Sequence, residues 1–164
     1  MVGGYYQDTF IVDNPGDVIT EADGNIGNDW VFTSITYILP SVIEEATLTG
    51  TADGDLTGNA ADNFLNGNDG NNRLDGGGGN DSLYGGNGND TYIVDQWAEG
   101  VYDSGGIDII YSSANRELGY QSTGVENLVL TGTADIYGTG TDGDNIITAI
   151  PATISSTAGA ATIL

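Results

Sequence analysis

Large apolar residues recur every nine positions through the middle of the chain, at Leu56, Leu65, Leu74, Leu83 and Tyr92. Gly, Asn and Asp dominate the positions between them. The text divides into GNAADNFLN at 58–66, GNDGNNRLD at 67–75, GGGGNDSLY at 76–84 and GGNGNDTYI at 85–93, with TGTADGDLT at 49–57 as a degenerate member in front. Five hits in one register mark a repeat architecture. Around this block the segments TFIVD, GDVIT, DWVFTSITYIL, TYIVD, DIIYSS and VENLVLTG are rich in β-branched and aromatic residues and predict strands. VIEEATL aligns with VENLVL, so Glu44 and Glu45 are expected with a strand rather than in a helical turn. No stretch carries a 3.6-residue apolar period with caps, so the chain is expected to be all-β.

A longer repeat lies on top. GGYYQDTFIVD at 3–13 matches GGNGNDTYIVD at 85–95, and LTGTAD at 48–53 returns at 130–135, both 82 residues apart. The reading is a solenoid over 1–150, built from two copies of one unit at about 3–84 and 85–150. A tail at 151–164, rich in small and hydroxylated residues, follows.

A nine-residue block suits half a turn of a solenoid. Six residues make a bend and three make a short strand whose middle side chain points inward. Glycines at the first, second and fourth positions allow positive φ and let carbonyl oxygens approach one another. An Asp or Asn at the sixth position adds a side-chain oxygen. One loop has too few oxygens for calcium, which takes about six to eight. Loops eighteen residues apart, stacked on one side, have enough. This pairs Asn63 with Asp81 and Asn72 with Asp90. The candidate ligand-bearing residues are Asn63, Gly67, Asn68, Gly70, Asn72, Gly76, Gly77, Gly79, Asp81, Gly85, Gly86, Gly88 and Asp90.

Charge sharpens this reading. Twenty-four acidic residues face two basic ones, Arg73 and Arg116, with no His and no Cys, for a net charge of −22. Nucleic-acid binding is excluded for want of clustered Lys and Arg. An anionic membrane surface would repel the chain, and no apolar run is long enough to span a bilayer. Disulfides, zinc fingers, thiol nucleophiles and His-dependent triads are ruled out. A hydrophobic content of 38% argues against disorder. A compact state must therefore relieve its self-repulsion with a cation, and oxygen donors alone select calcium.

Three other motifs fall away. DGDLTG at Asp53–Gly58 resembles the opening of an EF-hand loop, but Phe64 stands where the closing Glu belongs. Gly76–Gly79 is followed by no phosphate-binding Lys. Acid pairs are abundant, but a glycosidase-type pair is specific only when one member is desolvated. No intrinsic catalysis is expected.

GGGGNDSLY and GGNGNDTYI resemble the G-G-x-G-x-D-x-U-x nonapeptide of RTX, or haemolysin-type, calcium-binding proteins. The FIVD and LTGTAD text is similar to spacers between repeat blocks in that family. The resemblance implies a parallel β-roll or β-solenoid with calcium between its turns. It also implies a secreted bacterial protein that leaves the cell by a type I system and folds on calcium outside. The alternatives are a structural or adhesive surface array, or an accessory module of a secreted polysaccharide- or protein-degrading enzyme. The sequence departs from the family pattern at Asn63 and Asn72 in the sixth position, at Asn59 and Asn68 in the second, and at Ala61 in the fourth. Tyr6 interrupts the loop at 3–8, and Thr141 and Asn145 are the substitutions in GTDGDNIIT at 140–148. MVGGYYQDTF has no signal-peptide pattern and opens inside a repeat. The chain is therefore expected to be a fragment of a longer array, with upstream repeats or end-to-end self-association. The tail reads equally as a type I secretion signal or as a terminal strand.

Overall fold

The computed structural model describes residues 1–21, 27–132 and 135–149, and the backbone of 162–163. Its strands are β1 (Thr9–Val12), β2 (Trp30–Thr33), β3 (Tyr37–Ile38), β4 (Glu45–Leu48), β5 (Gly54–Thr57) and β6 (Phe64–Asn66). They continue as β7 (Asn72–Asp75), β8 (Ser82–Tyr84), β9 (Thr91–Val94), β10 (Gly100–Tyr102), β11 (Ile109–Ser112) and β12 (Arg116–Glu117). The last are β13 (Ser122–Thr123), β14 (Asn127–Leu130), β15 (Gly138–Thr139), β16 (Ile146–Ala149) and β17 (Thr162–Ile163). Among the described residues there is no helix, so none is long and apolar enough to cross a membrane.

Through the nonapeptide block, successive strands alternate between two parallel sheets. One has the order β1-β2-β4-β6-β8-β10-β13 and the other β17-β16-β14-β11-β9-β7-β5-β3. The chain is thus a β-solenoid, as expected, and the nine-residue block is half a turn. Leu56, Leu74, Tyr92, Ile110, Leu128 and Ile147 stand in register along the second sheet. Phe10, Val31, Ala46, Leu65, Leu83 and Val101 do so along the first. All twelve are buried. In three-residue strands such as β6 and β8 only the central side chain points in. Each fully buried Leu contributes roughly 1.5–3 kcal/mol, so these two facing columns are the core. Outside the first sheet, Phe64, Tyr84 and Tyr102 stack with ring centroids 4.7 and 4.6 Å apart, close to the strand spacing of ~4.8 Å.

Two expected strands come out differently. GDVIT is not a strand: only Thr20 forms an isolated bridge, to Val2. The segment runs beside the first residues of the chain, where the Gly3 amide donates to the Thr20 carbonyl and the Thr20 amide to the Met1 carbonyl. Val18 stays exposed while Ile19 packs into the core, and the pairing stops at that one bridge, too short for a strand. DWVFTSITYIL is two strands, β2 and β3, one in each sheet. The Thr33 hydroxyl bonds both the carbonyl and the amide of Ile35, turning the chain from one sheet to the other. Ser112 does the same to Ala114 before β12. VIEEATL does contain strand β4, with Glu44 just ahead of it.

The 82-residue repeat has an unexpected consequence. β1 and β4 lie in the first sheet, while their sequence counterparts β9 and β14 lie in the second. Eighty-two residues is about four and a half eighteen-residue turns, so matching segments land on opposite sheets. β12 and β15 form a separate two-stranded sheet, the counterpart of the β3-β5 pair. The expected tail at 151–164 lies outside the described residues, except that β17 pairs with β16.

Candidate metal centre

The residue that opens each half-turn, immediately before or at the start of its strand, defines two columns of polar side chains. On the first-sheet side these are Asp8, Asp29, Glu44, Asn63, Asp81, Glu99 and Gln121; on the second they are Asn72, Asp90, Asp108, Glu126 and Asn145. Consecutive turns are clamped through them. The Asn63 amide donates to Asp81 Oδ1 at 2.8 Å and the Asn72 amide to Asp90 Oδ1 at 2.7 Å, so the pairs expected from eighteen-residue spacing are adjacent. The pattern runs on past the nonapeptide block. The Asp90 amide donates to Asp108 Oδ1 at 2.7 Å and the Asp108 amide to Glu126 Oε2 at 2.9 Å. The Asp8 amide donates to Asp29 Oδ1 at 2.7 Å and the Asp29 amide to Glu44 Oε2 at 3.0 Å. An outer ladder on the preceding residue works in the opposite sense, with the amides of Asn71, Asn80 and Asn89 donating to Asp53, Asp62 and Asn71 one turn earlier.

The loops fall into two kinds. In the two full G-G-x-G copies, Gly77, Gly79, Gly86 and Gly88 have φ of +84°, +123°, +111° and +110°, which only glycine adopts without strain. The first-position glycines serve close approach instead. A Cβ on Gly76 would lie 2.1 Å from Asp81 Oδ2, and one on Gly85 would lie 2.2 Å from Asp90 Oδ2. The loops at 58–63 and 67–72 contain no positive φ. There Asn59 and Asn68 bond the amide two residues on, at Ala61 and Gly70. The side-chain oxygens of Asn63 and Asn72 accept the amides of Asn59 and Asn68 at 2.7 and 2.8 Å. Their Nδ2 groups donate to the carbonyls of Ile43 and Glu44 and of Gly54. Asn at the sixth position is therefore fully occupied by protein partners.

Asp at the same position is not. Asp81 and Asp90 are each 1% exposed, and their Oδ2 atoms have no hydrogen-bond donor. The same holds for Oδ2 of Asp108 and Oε2 of Glu99. Burial, reinforced by neighbouring carboxylates, pushes the Asp81 carboxyl up to about 6. It raises Asp90, Asp108 and Glu99 as well, for the same first cause. Buried carboxylates with an oxygen to spare and no donor near it call for a cation.

The protein supplies only one buried cation. Arg116, at the start of β12, is fully buried and reaches the residues that open β10 and β13. It donates to Ser122 Oγ and the Glu99 carbonyl, both at 2.8 Å, and to the Gln121 carbonyl at 3.3 Å. Burial lowers its pKa to about 10, opposed by the charge of Glu99, so it remains protonated at neutral pH. Arg73 is tied to Asp75 at 2.8 Å on the surface. Neither lies in a contact with Asp81, Asp90 or Asp108.

The donor set fits calcium: oxygens alone, partly carboxylate and partly backbone, around buried positions kept open by glycine. Asp81 and Asp90, with the loops beneath them, would hold the ion, which would supply the missing positive charge between turns. Two end loops differ. Asp8 binds the Gly4 amide at 2.6 Å, and its carboxylate converges with those of Glu21 and Asp29 to within 4.8 Å. At 140–145, Asn145 Oδ1 accepts both the amide and the hydroxyl of Thr141, an internal staple like that of Asn63.

Sequence reasoning missed Asp108, Glu126, Glu99 and Asp103. The first three were within reach, because Asn72, Asp90, Asp108 and Glu126, and likewise Asn63, Asp81 and Glu99, follow one another at intervals of eighteen. No curated protein and no solved structure matches the chain. A family model does match, at residues 57–92, as four copies of the RTX calcium-binding nonapeptide repeat. These copies supply β6, β7 and β8 and the loops that carry Asp81 and Asp90. The middle of this solenoid is therefore a run of RTX calcium-binding nonapeptide repeats.

Proposed function

We propose that this calcium-binding module belongs to a secreted protein and folds when it meets calcium outside the cell. The observation that carries the reading is the set of buried carboxylate oxygens without donors, in a chain of net charge −22. Such a chain stays extended where calcium is scarce and compacts where it is plentiful. Type I export of the unfolded chain is the matching route. The carboxylates are spent on clamping turns, which supports a module without catalysis of its own.

Two loops carry a charged sixth position in the matched block, so Asp81→Ala and Asp90→Ala are each expected to raise the calcium midpoint of folding. Asp17→Ala, on the N-terminal connection, is expected to leave it unchanged. The midpoint itself should fall near the ~10⁻⁴–10⁻³ M of extracellular modules. Equal shifts from all three variants would mean that calcium acts by general screening.

A second reading, end-to-end stacking into an array, is favoured by the first turn. Among the described residues β1 is the outermost strand of its sheet, and Val2, Tyr5, Tyr6, Ile11 and Val18 of the first turn are exposed. An open edge with apolar neighbours is a template for another strand. Light scattering is expected to find calcium-dependent dimers or larger species that a polar N-terminal cap suppresses. A calcium-loaded chain that stays monomeric at high concentration would rule stacking out.

A further inference from the structure

We propose that Asp90, Asp103 and Asp108 form a three-carboxylate calcium site at the junction between the nonapeptide block and the text that follows it. The proposal rests on the reading of the chain as a calcium-binding module. It adds a site whose Asp103 and Asp108 lie beyond the matched repeats.

Carboxylate oxygens of the three residues lie within 4.8 Å of one another. Each side chain has one oxygen committed to the backbone. Asp90 Oδ1 accepts the Asn72 amide, Asp108 Oδ1 the Asp90 amide, and Asp103 Oδ1 the Gly105 amide, all at 2.7 Å. These bonds fix the carboxylates and leave the second oxygens for a ligand. Asp90 and Asp108 are 1% and 0% exposed, and their Oδ2 atoms have no donor at all. Asp103 Oδ2 accepts the hydroxyl of Tyr92, which sits in the core column.

The space is kept open by glycine. A Cβ on Gly85 would lie 2.0 Å from the Tyr92 hydroxyl oxygen, 2.2 Å from Asp90 Oδ2 and 2.6 Å from Asp103 Oδ2. Two buried carboxylate oxygens without a donor, beside a third carboxylate and with no Arg in contact, call for a cation. A hard cation meets the need. Calcium is favoured over magnesium because magnesium gives up its waters reluctantly and a buried cluster leaves little room for them. With three carboxylates against the one Asp of the loop at 76–81, this site fills first. It would then fasten the following turns to the repeat block.

Calorimetry on the full chain tests the proposal, with calcium as titrant. Asp103→Asn keeps the volume and the acceptor for Gly105 but removes the charge. It is expected to weaken the tightest class of sites by roughly tenfold or more, the scale on which even outer-shell partners of a metal matter. Asp17→Asn, on the N-terminal connection, is expected to leave that class unchanged. Terbium adds a readout at the site itself, since Tyr92 adjoins Asp103 and sensitises a nearby ion. Tyr92→Phe, which leaves all three carboxylates in place, is expected to remove the brightest calcium-displaceable emission. Unchanged tight binding in Asp103→Asn, or unchanged emission in Tyr92→Phe, overturns the site while calcium-coupled folding stands. A wild-type chain that binds no calcium overturns both.

Discussion

In excess chelator the far-ultraviolet circular dichroism of the chain is expected to lose its β signal, and millimolar calcium is expected to restore it. Asp81, Asp90, Asp108 and Glu99 are buried with an oxygen that has no donor. An uncompensated buried charge costs several kcal/mol. The whole stability of a domain is about 5–15 kcal/mol. Even the three that have no cationic neighbour, Asp81, Asp90 and Asp108, together with the remaining repulsion of a −22 chain, outweigh a net stability of that size. Protons are the only other way to neutralise them. The Asp81 carboxyl titrates near 6 in the folded chain, above its ordinary value near 4, so the metal-free fold binds that proton more tightly than the unfolded chain does. Metal-free stability therefore rises as the pH falls from about 7 toward 4, while calcium binding weakens over the same range. A full β spectrum in chelator at pH 8 would contradict the argument.

Arg116→Met is expected to destabilise the calcium-loaded protein by about 3–5 kcal/mol, the usual cost of removing one partner from a buried charged network. The guanidinium satisfies Ser122 Oγ and the carbonyls of Glu99 and Gln121. It is also the positive charge nearest the buried Glu99 carboxylate. Met matches its bulk and leaves all of these without a partner. The expected fall in melting temperature is on the order of 10 °C at saturating calcium. The gap from the wild-type chain is expected to persist at every saturating calcium concentration, because the lost hydrogen bonds to Ser122, Glu99 and Gln121 are not ones an ion replaces. A change below about 1 kcal/mol, the ordinary effect of a surface substitution, would place Arg116 outside the packing of these turns.

How much of this could be read from the chain differs by element. The Leu56–Tyr92 register disclosed the two-sheet solenoid, because a nine-residue period leaves room only for a bend and a short strand. The adjacency of Asn63 with Asp81 and of Asn72 with Asp90 followed from the same arithmetic. Spacing could not distinguish Asn from Asp in use: Asn63 and Asn72 satisfy themselves within the protein, whereas Asp81 and Asp90 have an oxygen over. Asp108 and Glu126 continue the eighteen-residue column through text that has lost most of its glycines, which hid them. Asp103 follows β10, outside the column, and only the path of the turn brings it to Asp90. Nothing in the pattern around Arg116 marks a buried cation. GDVIT shows the reverse, since its composition is strand-like but its pairing stops at the single bridge of Thr20 to Val2.

The central claim is that folding free energy and calcium-binding free energy are one quantity, and the calcium dependence of the melting temperature tests it most directly. Ions bound only by the folded chain add about 1.4 kcal/mol of stability each for every tenfold rise in free calcium above saturation. Several ions held between turns predict a melting temperature that keeps climbing with the logarithm of calcium, at constant ionic strength and with a slope of more than one ion. A melting temperature that stays flat with calcium, or that rises equally with an inert salt, would contradict the account.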